Sequence, residues 1–312
     1  DRTGRSWGFH YSAKAISPDF EAATGFVNRT GILQANAFNR LTYYGAEGAL
    51  IQTAGTFIGV GRTWDYDAPG DGAIEGSESL SPSATLRGGW QAGGSLARSF
   101  YAFDPADYTN YTVATTVGTV PFTVPDPERG LWSGSLRLTT PTFRWVTATA
   151  SVGWGNVPIF REAAPGRSFR TEAVVDLRPT QGLRTALQVT RFTLERAADG
   201  SRYSAETIPR VKLEYQLTRA IFFRAVGQYA ARSRSPLQDR EGRAILIGGV
   251  ADQGEKVNEF QMDWLFSYRP TPGTLFYFGY GSTLREPEEF RFRDLRRSAD
   301  GFFAKASYLF RL

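Results

Sequence analysis

Polar and apolar positions alternate with a period of two through most of the chain, and this pattern predicts strands. In "SFRTEAVVDLR", Phe169, Thr171, Ala173, Val175 and Leu177 fall on one side, and Arg170, Glu172, Val174, Asp176 and Arg178 on the other. "RVKLEYQL" sets Val211, Leu213, Tyr215 and Leu217 against Arg210, Lys212, Glu214 and Gln216. Fourteen such segments can be marked: 6–16, 31–45, 48–64, 79–92, 95–104, 130–140, 143–156, 167–178, 183–196, 207–218, 220–233, 256–269, 274–284 and 301–312. Most exceed the five or six residues of an ordinary soluble strand, and a tilted strand needs about 9–11 residues to cross a bilayer. The connections alternate between short ("YGAEG", "QAGG", "TPT", "PTQG", "TR", "PTPG") and long (17–30, 65–78, 105–129, 157–166, 197–206, 234–255, 285–300). The expected fold is therefore all-β: a transmembrane antiparallel outer-membrane β-barrel of about 14 strands in a single domain, 1–312, with short periplasmic turns and long extracellular loops.

Composition excludes the main alternatives. No run of about 18 uncharged apolar residues exists, so no membrane helix is expected. Mean hydropathy is −0.32, which the alternation explains, since every second residue is polar. A soluble sandwich also alternates, but with shorter strands and its apolar face buried. The chain has no Cys, which removes disulfides, thiolate metal sites and Cys nucleophiles and suits an oxidising envelope compartment. Net charge is +5 with basic residues dispersed along the chain, so a nucleic-acid partner is not expected. The chain opens at Asp1 without an initiator Met, and the expectation is that a signal peptide or further segment precedes it.

In the closing "GFFAKASYLFRL", Phe302, Ala304, Ala306, Tyr308, Phe310 and Leu312 share an apolar side, opposite Lys305 and Arg311. A barrel satisfies its backbone only if the sheet closes, so this strand is expected to pair with the first. Tyr308, Phe310 and Leu312 resemble the terminal signal that outer-membrane barrels present to their assembly machinery. With "GFVNRTGI" (25–32) and "SYRPTPGTLFYFGYG" (267–281), the ending resembles a barrel domain of Gram-negative envelope proteins. That domain follows a family-9-like carbohydrate-binding module. The resemblance implies an outer-membrane location and a possible polysaccharide or protein partner. It carries over no catalytic residues.

The inward phase holds most of the candidate chemistry. Arg170, Glu172, Asp176, Arg178, Arg184, Arg210, Lys212, Glu214, Arg224, Arg232, Asp263, Arg269, Lys305 and Arg311 all fall there. Their surplus of cations would favour anions in an open pore, whereas paired signs would brace a closed wall. A fourteen-stranded barrel has a backbone diameter of ~28 Å. The weakly charged 105–129 loop is the candidate for folding inward as a constriction. His10, the only histidine, has no partner fixed by spacing, so an enzyme is not expected. Asp65, Asp67 and Asp71, with Glu75 and Glu78, form an oxygen-rich loop weakly suited to calcium, and no cofactor is expected. Arg291, Arg293, Arg296 and Arg297 are placed to clamp lipopolysaccharide phosphates or to pair with Glu286, Glu288 and Glu289. Asn39 and Arg98 interrupt the outward apolar phase, either through a bulge or as contacts for a partner. The resulting functions are passage of small polar or anionic solutes, saccharides included, or a largely closed barrel anchoring a partner. Lipid and lipopolysaccharide are the surrounding partners in both.

Overall fold

The computed structural model describes residues 1–312 apart from 23, 24, 26 and 310–312. The strands are β1 (Arg2–Thr3), β2 (Trp7–Ile16), β3 (Ile32–Tyr44), β4 (Ile51–Asp65), β5 (Ala73–Leu86), β6 (Gln91–Tyr101), β7 (Tyr111–Thr115), β8 (Gly118–Pro121), β9 (Glu128–Thr139) and β10 (Val146–Ile159). They continue as β11 (Ala164–Leu177), β12 (Leu183–Arg196), β13 (Arg202–Gln216), β14 (Ile221–Arg234), β15 (Ile245–Ile247), β16 (Val250–Ala251), β17 (Glu255–Tyr268), β18 (Thr274–Arg285) and β19 (Arg296–Tyr308). One 15-stranded antiparallel sheet runs β1-β2-β3-β4-β5-β6-β9-β10-β11-β12-β13-β14-β17-β18-β19, and a 4-stranded sheet runs β16-β15-β7-β8. Apart from Arg2–Thr3, the large sheet consists of the fourteen strands that the alternation predicts.

Boundaries moved where turn chemistry outweighed periodicity. β5, the fourth of the fourteen expected strands, is Ala73–Leu86, six residues earlier than the 79–92 expected. Gly88 and Gly89 adopt φ of 87° and 89° and make the turn, with Leu86 N–H bonded to the Trp90 carbonyl at 2.8 Å. Left-handed backbone is open to Gly at no steric cost. The second glycine pair, Gly93–Gly94, lies within β6. Two loops expected to be long are short, because β10 to β13 extend to Ile159, Ala164, Arg196 and Arg202.

Opposed residues in an antiparallel ladder share a face. Glu214 stands opposite Arg184 and Arg224, Arg210 opposite Gln188 and Gln228, and Arg170 opposite Gly153 and Phe192. The polar phases of all these strands therefore form one continuous face. The small sheet docks on that same face at its loop end. Ile159, Leu194, Tyr203, Leu237 and Ile245 form a buried cluster, joined by Tyr111, Phe122, Val157, Phe192 and Ile247. A second cluster joins Phe103, Tyr108 and Ala163 to Tyr101, Phe122 and Val124. The 102–127 and 235–254 connections thus fold over the charged face and close a core of their own against it.

The large sheet begins at β1 and ends at β19, and among the described residues no ladder joins β19 to β2. Arg2 and Thr3 turn back to pair with Phe9 and Gly8, taking part of the edge expected to receive the last strand. Every residue of β19 is exposed. Phe310, Arg311 and Leu312 lie outside the described residues.

Candidate functional site: the charged inner wall

The face opposite the small sheet is apolar and open. Ile58, Leu80, Leu96, Leu136, Val211 and Phe276 are each 42–57% exposed there. Burying one such side chain is worth about 1.5–3 kcal/mol, so a band of them around fourteen strands represents tens of kcal/mol that water cannot supply. Among the described residues no helix is long and apolar enough to cross a membrane. The strands, 10–15 residues long, have the length to do so. This is the wall of an outer-membrane β-barrel.

The charged face is its inner wall, and it divides into two halves. Toward the loops, charges are paired. Arg170 lies 3.8 Å from Glu172, which also accepts a hydrogen bond from Gln188 at 2.9 Å. Arg232 pairs with Glu206, and Arg285 with Glu259 at 3.0 Å. Glu206 and Glu259 are not among the inward residues that the sequence pattern singles out. Glu206, the fifth residue of β13, falls in a segment whose pattern predicts a loop, while the phase of β17 does place Glu259 inward.

Toward the turns, the balance changes. Lys212 is 3.0 Å from Glu214. Among the described residues Arg178, Arg184, Arg210, Arg224, Arg269 and Lys305 have no carboxylate within salt-bridge distance, and Asp176 and Asp263 have no cation within it. Glu214 faces Arg184 and Arg224 across its two ladders, so one carboxylate serves three cations. The charges of β11, β13, β14, β17 and β18 are therefore paired toward the loops, while the turn-side half carries an excess of cations.

A buried ion pair at the loop rim of this wall holds the start of the 235–254 segment, which carries β15 and β16. Arg196 donates from Nε and Nη2 to both oxygens of Glu162, at 2.8 and 2.6 Å. It also donates to the Pro236 carbonyl at 2.8 Å and to Ser201 Oγ at 3.1 Å. Glu162 accepts the Gln238 N–H at 3.0 Å. Nearby, Asp252 receives Arg234 at 2.7 Å and Arg161 at 3.1 Å. The Arg234 hydrogen bond, reinforced by the Gly254 N–H, holds the Asp252 carboxyl below the usual carboxylate range. A lowered folded-state pKa adds stability above the unfolded value of ~3.9, and that stability is lost as pH falls through the folded value. Loosening of the 235–254 segment is accordingly expected below about pH 4 and not at neutral pH. Limited proteolysis of that segment across an acid series would show it.

Other sequence candidates are otherwise engaged. Asp65 accepts the Asp67 and Ala68 N–H groups at 2.8 and 3.1 Å. Glu75 and Glu78 lie in β5, paired with Arg29 and Arg62. Among the described residues no three or more His, Cys, Asp or Glu side chains converge as a metal site; Asp71 belongs to a one-turn 3-10 helix. His10 Nδ1 lies 3.8 Å from Asp1, with no hydrogen bond to a serine among the described residues. Arg291 pairs with Glu288 at 2.8 Å and Arg297 with Asp300 at 3.0 Å.

Of the two breaks in the outward phase, the structure explains Asn39 locally and does not explain Arg98. Asn39 pairs with Phe9 without a bulge, and its side-chain oxygen accepts the Trp7 indole N–H at 3.2 Å and the Tyr11 hydroxyl at 3.1 Å. Asn39→Ala is expected to cost about 1 kcal/mol, measurable by denaturant unfolding in detergent. Arg98 stands opposite Glu78 and Trp132, and Arg62 takes Glu78. Tyr229, on the outward phase, is only 2% exposed because the loop after β18 folds over it. Its hydroxyl donates to Glu286 and accepts the Phe290 N–H at 2.9 Å. Periodicity could not reveal this cover.

No family model and no curated protein matches the chain. Among solved structures it is similar to the outer-membrane expressed OmpT of Vibrio cholerae, at 9% identity and a TM-score of 0.36 over 97% of this chain and 96% of that one. It is also similar to the NanC porin, at 10% identity and a TM-score of 0.30 over 85% of this chain and 98% of that one. Likeness of this degree carries no weight for function, and the barrel assignment stands on the exposed apolar face.

Proposed function

We propose that the barrel admits small polar and anionic solutes along its arginine-rich inner wall, with the small sheet narrowing the loop-side entrance. The observation that supports this reading is the uncompensated row of Arg178, Arg184, Arg210 and Arg224 on the turn-side half of the wall. Unpaired guanidinium groups in a low-dielectric wall attract anions and repel cations. In this reading β2 and β19 close on each other within the bilayer, where unpaired edges are too costly. Single-channel recording of the purified barrel in a planar bilayer tests it. Steady openings with an anion-directed reversal potential in a salt gradient are expected, and silence at all voltages would exclude passage.

A second reading has its own support. The two hydrophobic clusters beneath the small sheet and the buried Arg196–Glu162 pair make a firmly seated plug. That suits a closed barrel anchoring a carbohydrate-binding module, the arrangement the family resemblance implies. Silent bilayers together with co-purification of a polysaccharide or protein partner would favour it.

A further inference from the structure

We infer that the turn-side end of the inner wall is a binding site for a saccharide carrying a carboxylate. The inference rests on the inward face lining a lumen, and it names the class of solute held there. A cleft of about 750 Å³ lies between the 140–145 and 178–182 turns and is lined by Arg144, Trp145, Arg178, Arg184, Glu214 and Phe222, among others. Its volume lies within the ~300–1,000 Å³ range of small-ligand sites, which combine aromatic surface with a few placed polar groups.

Three features point to this ligand. Trp145 lines this cleft and is 60% exposed. The Arg144 guanidinium lies 5.5 Å from the Trp145 ring, occupying one side and leaving the remaining indole surface for the apolar face of a pyranose. Arg178 and Arg184 line the same cleft without a carboxylate partner among the described residues, and a guanidinium fork matches a carboxylate in two parallel hydrogen bonds. Glu214, held by Lys212 at 3.0 Å, and Gln216 supply acceptors for sugar hydroxyls. A neutral sugar would leave both arginines unpaired, and a simple inorganic anion would leave the aromatic surface bare.

The test is titration of the purified full-length barrel in detergent with digalacturonate, cellobiose or sodium chloride, following tryptophan fluorescence. Saturable quenching by digalacturonate is expected, at least about tenfold tighter than cellobiose. Trp145→Phe should remove the fluorescence change. Arg178→Gln should weaken digalacturonate binding by about tenfold, one charge-assisted contact, with cellobiose unaffected. Trp90→Phe, outside the cleft, serves as the control, and retained resistance to SDS before heating shows that each variant is folded. Equal response to digalacturonate and cellobiose, or to chloride at matched ionic strength, would overturn the inference. So would quenching that survives in folded Trp145→Phe. Because binding is read in detergent without current, an anion-selective pore that ignores digalacturonate would sink this inference alone. Binding by a barrel silent in bilayers would sink the channel reading and leave the site standing.

Discussion

Replacing Glu162 with Ala is expected to release the small sheet from the inner wall. Arg196 and Glu162 have side chains only 6% and 0% exposed, and removing one member of a buried pair leaves the other charged and desolvated. Such losses cost about 3–5 kcal/mol. The effect should exceed that of Arg232→Ala, whose side chain is 53% exposed and whose ion pair is worth about 0–1 kcal/mol. Glu162 also holds the Gln238 N–H, and its partner Arg196 holds the Pro236 carbonyl, so the 235–254 segment loses its contacts at Pro236 and Gln238 in the same step, while the Asp252 pairs to Arg161 and Arg234 remain. Proteolytic cleavage within 235–254 should accelerate by a factor on the order of 100 or more when it proceeds through local opening. Conductance should rise if the small sheet is the constriction. Unchanged proteolysis would mean that the hydrophobic clusters alone seat the sheet.

Reversing the turn-side charge should change which ions pass. Arg184→Glu with Arg224→Glu would place carboxylates on both sides of Glu214, where guanidinium groups now stand. The reversal potential in a tenfold salt gradient is expected to move toward cations by some tens of millivolts, against an ideal limit of about 59 mV. The same reversal at Arg170, already beside Glu172 at 3.8 Å, should have a smaller effect, because a paired charge contributes less to the field of the pore. Equal shifts from both sites would show that pairing does not set the local potential.

Much of this could be read directly from the chain. Period-two alternation located all fourteen long strands, and Leu183–Arg196 matched to the residue. It also put Arg170, Glu172, Arg210, Lys212 and Glu214 on one face, because the side-chain period of a strand is fixed by its backbone. Boundaries were less legible. Gly88–Gly89 and Gly93–Gly94 are equally good turn signals in isolation, and only the register of β5 against β6 selects between them.

Pairing across strands and the packing of loops were decided by tertiary structure. Whether Glu206 meets Arg232, or Arg184 and Arg224 share Glu214, depends on registers between segments that alternation leaves free to slide by two residues without changing face. Val157, Ile159, Phe192 and Leu194 are apolar residues on a polar phase, an anomaly visible in the sequence. Their purpose appears only when segments up to about ninety residues away fold over them, since Leu237 and Ile245 complete the cluster. Tyr229 is the converse, a lipid-phase residue withdrawn from lipid by a loop. Local alternation sets the face a side chain points to, because that needs only its own backbone. The partner it meets there depends on chain closure over long separations, and only the assembled sheet supplies it.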